Sequence, residues 1–151
     1  TGAARLLAPG QPLLLQAREW EHMQTVADPR AAFLFAGDLS REGLTLALLD
    51  GDTALAPGLQ AIDTSGHTPG HQSFVVDLSE GTVVLAGDAA DLRRNIVERI
   101  PSGATVGADG PQRAAAAIDR LHALDVLDGV EVWPAHDPEW GPWRDIIATR
   151  R

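Results

Sequence analysis

The sequence predicts a layered α/β fold, and three observations carry that prediction. Short apolar runs at residues 44–49, 59–62, 73–78 and 82–86 are separated by turn residues. A helical repeat over 111–127 follows them, with a further apolar run at 130–133 behind it. Strands first, then a strand–helix–strand alternation, suits sheets covered by helices. The 151 residues, 44% hydrophobic and 22% charged, suffice for a domain with its own core.

Residues 1–8 read as a short helix with Thr1 as N-cap and Ala3, Leu6 and Leu7 on one face, ended by Pro9-Gly10. Residues 12–16 (PLLLQ) are a buried-strand candidate. Residues 17–27 follow helical spacing with Trp20, Met23 and Val26-Ala27 on the buried side, and Asp28-Pro29 breaks the pattern. Residues 31–43, apolar around Phe33 and Phe35 and then polar, read as a loop or short helices near a site. The runs 44–49 and 59–62 read as strands joined through the turn residues Asp50-Gly51-Asp52 and Pro57-Gly58. Thr64-Ser65-Gly66-His67-Thr68-Pro69-Gly70-His71 then forms a loop framed by strands, the next being 73–78. The turn Ser79-Glu80-Gly81 leads to strand 82–86, which ends in Gly87-Asp88.

Residues 89–100 read as a short helix or loop, and 101–110 as loop. Helix 111–127 carries Pro111 in its first turn, aligns Ala114, Ala117, Ile118, Leu121 and Leu124, and is followed by Gly129. Strand 130–133 runs into Pro134-Ala135-His136-Asp137, and 143–149 is a last short helix.

Composition removes several functions. A net charge of −9 repels polyphosphate backbones, so general nucleic-acid binding is disfavoured. No apolar run approaches ~18 residues, so no transmembrane helix and no membrane partner are expected. The opening Thr1-Gly2-Ala3-Ala4-Arg5 has no signal-peptide pattern, and the expected location is cytoplasmic. The absence of cysteine removes disulfides, thiolate ligands and cysteine nucleophiles together. Tyrosine is absent as well.

His67, Asp88 and His136 each sit just past a predicted strand, where α/β proteins gather functional groups. Two neutral imidazoles and a carboxylate suit a borderline ion such as Zn²⁺. Each residue also has an ordinary reading. His67 is a turn residue beside glycines, Asp88 a cap for a helix starting at 89, and His136 plain loop. His22 and His122 fall on predicted helices and read as non-catalytic.

Ser65-Gly66-His67-Thr68-Pro69-Gly70-His71-Gln72-Ser73, followed by Leu85-Ala86-Gly87-Asp88 and Pro134-Ala135-His136-Asp137, resembles the metallo-β-lactamase-fold hydrolases. The N-acyl-homoserine lactone lactonase-like branch is the closest in pattern, and residues 12–23 (PLLLQAREWEHM) resemble the strand and helix that precede this region in such lactonases. The resemblance implies an αββα sandwich, of which 1–151 is the C-terminal half to two-thirds, as a single incomplete domain. It implies two divalent metal ions, zinc by default. His67 then binds the first, His136 the second, and Asp88 bridges them as the catalytic carboxylate. His71 and Asp137 are candidate partners that orient ligands, with a turn-stabilising hydrogen bond as the ordinary alternative. Asp91 and Trp140 are candidate substrate-binding residues. Phe33, Phe35, Leu39, Trp140 and Trp143 are candidates for an acyl-chain pocket, with Phe33 and Phe35 read as core.

The chain departs from the family pattern in two places. The upstream HxHxDH motif is absent, and Thr1-Gly2-Ala3-Ala4 resembles the start of the helix that follows that motif. The expectation is therefore a missing N-terminal half or a homo-oligomer partner. No tyrosine follows the bridging position, which runs Asp88-Ala89-Ala90-Asp91. The implied function is hydrolysis of a small-molecule lactone or related ester by metal-activated water. The alternatives are a glyoxalase II-like thioesterase and a half-domain that does no chemistry without its missing portion. A phosphodiesterase is disfavoured by the charge.

Overall fold

The computed structural model describes residues 7–8, 10–26 and 45–140. The expected helices over 1–8 and 143–149 lie outside these residues, the former apart from its last two positions. The loop 31–43, with Phe33, Phe35 and Leu39, and Trp143 also lie outside them. The chain divides after Asp50 into two compact units. No helix among the described residues is long and apolar enough to cross a membrane.

In the first unit, β1 (Pro12–Gln16) leads directly into α1 (Ala17–Thr25). β1 pairs in parallel with β2 (Thr45–Leu49), from Pro12↔Thr45 to Gln16↔Leu49. A parallel partner requires a crossover rather than a tight turn, and α1 begins that connection. Trp20 and Met23, expected on the buried side of α1, are half-buried.

The second unit is a five-stranded sheet in the order β3-β4-β5-β6-β7, where β3 is Thr53–Ala56, β4 Leu59–Asp63, β5 Gln72–Leu78, β6 Gly81–Gly87 and β7 Val130–Pro134. Neighbours are antiparallel except β6 and β7, which run parallel. Two helices occupy that crossover: α2 (Arg93–Val97) and α3 (Gly110–Asp125). The strands expected at 44–49 and 59–62 are β2 and β4, but turns alone do not join them. Thr53–Ala56 is itself a strand, and β4 pairs with it while β2 pairs with β1. Its sequence, TALA, has two alanines and little β-branched character, so its propensity is weak and the pairing decides.

Alternation along the strands sets the core. Val84 and Ala86 of β6 and Val132 of β7 are fully buried, whereas the intervening Leu85 is 39% exposed. Against them pack Ile62, Ile96, Ala117, Ile118 and Leu121. Ala114, Ala117, Ile118 and Leu121 recur at the i, i+3, i+4, i+7 spacing of one helix face, as the sequence predicts for this helix. This core holds the ends of β4, β6 and β7, from which the candidate site is built.

Candidate metal centre

The loop between β4 and β5 is closed by the Thr64 amide donating to the His71 carbonyl at 3.2 Å. The Gly66 and His71 amides both donate to the Thr68 carbonyl. Gly66 adopts φ +147°, and a Cβ there would lie 2.4 Å from the Ala114 nitrogen. Only glycine lets the loop press this closely on α3. Residues 101–109 cross the same loop, with the Val106 amide donating to the Gly66 carbonyl at 3.2 Å. His67 therefore reaches the Ala104 carbonyl, 3.0 Å from its Nδ1. A carbonyl only accepts, so Nδ1 carries a proton, which leaves Nε2 as the nitrogen whose lone pair a neutral ring would offer. That Nε2 stands 3.7 Å from Asp88 Oδ2, beyond hydrogen-bond length.

Asp88 follows β6 through Gly87, whose φ is +58°. Its other oxygen, Oδ1, is 2.8 Å from His136 Nε2. Asp88 does not cap a helix, since α2 starts at Arg93 and its first turn is closed by the Leu92 amide donating to Asn95 Oδ1. His136 follows β7 and is stitched to the Asp88 turn by backbone. The Ala135 amide donates to the Ala90 carbonyl at 3.0 Å, and the His136 amide to the Asp91 carbonyl at 2.9 Å. The carboxylate thus presents one oxygen toward each imidazole.

Asp91 is brought into the same group. Ligand atoms of Asp88, Asp91 and His136 all lie within 4.8 Å of one another. Asp91 Oδ2 also accepts from Ser102 Oγ at 3.1 Å. Asp137 and Trp140 gather instead around Arg93. Asp137 accepts from the Arg93 amide (2.8 Å) and the Glu139 amide (2.9 Å). The Arg93 guanidinium lies 4.7 Å from the Trp140 ring centroid and pairs with Asp125. The Trp140 Nε1 is buried with no hydrogen-bond partner among the described residues. His71 lies behind the site, against Gly87. His122 hydrogen-bonds the Ile96 carbonyl through Nδ1 (3.1 Å), joining α3 to α2.

This donor set fits a divalent cation. His67 Nε2 and Asp88 Oδ2 face each other at 3.7 Å, and a divalent cation between a neutral imidazole and the carboxylate would be held by both. Imidazole nitrogen and carboxylate oxygen together suit borderline ions. The imidazole Nδ1–H on a carbonyl is the usual support for a metal-binding histidine. Sequence reasoning missed the Ala104 carbonyl and Ser102, because a backbone acceptor in a loop has no side-chain signature. It also missed Thr64 and Ser73, whose only signal is a polar residue at an inward-facing position beside the loop.

No family model matches the chain. The N-acyl homoserine lactonase of Bacillus cereus is 30% identical over 129 residues, which are 85% of this chain and 48% of that protein. The chain thus spans about half the length of the relatives it matches. Among solved structures, an N-acyl homoserine lactone hydrolase with the product N-hexanoyl-L-homoserine at its catalytic metal centre superposes with a TM-score of 0.71 at 26% identity, over 87% of this chain and 49% of that one. A Thermotoga maritima protein assigned to the metallo-β-lactamases superposes with a TM-score of 0.57 at 18% identity, over 88% of this chain and 59% of that one.

Proposed function

We propose that this chain, a homologue of the N-acyl homoserine lactonases with the fold of the metallo-β-lactamase hydrolases, builds part of a divalent-metal centre that opens lactone rings as one domain of that type. The observation that carries the reading is the Asp88 carboxylate, with Oδ1 toward His136 and Oδ2 toward His67. In it, His67 would hold one ion, His136 the other, and Asp88 would span both. Bound zinc would supply hydroxide from water near neutral pH and polarise the scissile carbonyl. The protein's part is orientation. Ala104 fixes the His67 ring, the backbone stitch at Ala90 and Asp91 fixes His136, and the turn after β6 fixes Asp88. Asp91 and Trp140 face substrate in this reading, while His71 and Asp137 support the loops that carry the ligands. Three ligating side chains, His67, Asp88 and His136, are fewer than two tetrahedral ions need, so further ligands come from outside this set.

The test is metal analysis of the purified protein combined with assays on lactones, thioesters and phosphodiesters. With the remaining ligands supplied, the expected result is metal-dependent lactone hydrolysis that chelation abolishes. Asp88→Ala should lower it by at least about 100-fold, the upper end seen when mere supporting residues of metal ligands are removed. Wild-type turnover by Asp88→Ala at verified metal content overturns the bridging role.

A further inference from the structure

A line of buried hydroxyls lies behind the histidine loop. Thr64 is 1% exposed and Ser73 is 0% exposed. Ser73 Oγ stands 2.8 Å from the Ala86 carbonyl, Thr64 Oγ1 2.7 Å from Ser73 Oγ, and His71 Nδ1 3.0 Å from Thr64 Oγ1. The direction of every proton follows from donor counting. The Ala86 carbonyl only accepts, so Ser73 gives it its single proton. Thr64 must then donate to Ser73, which leaves its oxygen as the acceptor for His71. His71 Nδ1 therefore carries hydrogen. The Thr64 carbonyl, 3.1 Å from the same nitrogen, is a second acceptor that shares this hydrogen. On the far side of the ring, Nε2 lies 2.8 Å from where a Cβ on Gly87 would stand.

We propose that Thr64 and Ser73 are positioning residues: their one-way hydroxyl chain from His71 to the Ala86 carbonyl locks the His71 ring in its Nδ1–H tautomer against Gly87, and so sets where β6 delivers Asp88. β6 is gripped at two successive residues, Ala86 by the hydrogen bond and Gly87 by the ring. The loop carrying His67 is thereby tied to the strand carrying Asp88, with the His71 ring standing edge-on to His67 at 6.1 Å between centroids. Only the metal arm of the test rests on the reading of Asp88 as a ligand.

Long-range ¹H–¹⁵N correlation on the ¹⁵N-labelled full chain reads histidine tautomers directly. It is run at pH about 8, above the ordinary histidine pKa of about 6.5. Wild-type His71 should be a single Nδ1–H species. Ser73→Ala removes the acceptor for the Thr64 proton, which then turns on His71 and raises the Nε2–H form. Thr64→Val removes the hydroxyl and leaves the backbone carbonyl at 64 as the remaining acceptor, so the Nδ1–H form should lose part of its population, whereas Thr64→Ser should keep it. Calorimetric zinc titration should show about tenfold weaker binding in Ser73→Ala and Thr64→Val, and no change in Thr64→Ser. An Nε2–H tautomer in the wild type overturns the proposal. So does a Ser73→Ala protein that is less stable but keeps the wild-type tautomer, since the hydroxyl is then merely structural. If the parent chain binds no zinc, the metal reading falls and the tautomer result alone decides this proposal.

Discussion

At Gly66 one missing carbon decides how closely the histidine loop approaches α3. A Cβ there would meet the Ala114 nitrogen at 2.4 Å and its Cα at 2.5 Å, both backbone atoms inside a helix that cannot step aside. Gly66→Ala is expected to destabilise the fold by about 3 kcal/mol, measurable as a lower urea midpoint. The sequence made Gly66 legible only as a turn residue, because the close neighbour lies far along the chain. Asp88 was ambiguous for a related reason. An aspartate after a strand-end glycine reads equally as helix cap or ligand, and only the start of α2 at Arg93 separates the two. His67, Asp88 and His136 were legible as strand-end polar residues. What holds them was not, since Ala104, Ala90 and Asp91 act there through backbone carbonyls.

Among the elements, α3 was the most readable, because its apolar repeat and its Pro–Gly boundaries agree. β3 was the least, because four residues of TALA carry almost no pattern. Its turn is instead fastened to α3 by charge. Arg120 donates to both Asp52 oxygens, at 2.8 and 2.5 Å, and to the Asp63 carbonyl at 3.1 Å. The hydrogen bond from Arg120 holds the Asp52 carboxyl below its ordinary range, outweighing burial, with help from the Asp63 amide and the Arg120 charge. A carboxyl depressed in the folded state stabilises above its unfolded pKa of about 3.9, and the contribution is lost as pH falls through the lower folded value. Asp52→Asn should therefore lower stability at pH 7. The pair is partly exposed, so the loss should be no more than about 1 kcal/mol. Urea titrations at pH 7 and near pH 2 check this, with the difference disappearing at the acid end.

For the whole molecule, the α/β class and the order of the later strands were legible from spacing alone. The pairing of β1 with β2 was not, because a parallel partner leaves no turn signature. Zinc should act on global stability by mass action, adding about 2.7 kcal/mol at a hundredfold excess over its Kd. A thermal midpoint that rises with zinc in the wild type and stays fixed in Asp88→Ala is the expected result.

The backbone stitch that joins Ala135 and His136 to Ala90 and Asp91 sets an order in time. His67 and Asp88 lie at the two ends of a single hairpin, β5–β6, which can close early. His136 meets Asp88 across 48 residues of chain, a contact expected to form only after the crossover helices have docked and β7 has found β6. Long-range parallel pairing of this kind forms late. An ion joining His136 to Asp88 would then be absent from the transition state, so zinc should slow unfolding while leaving the refolding rate unchanged.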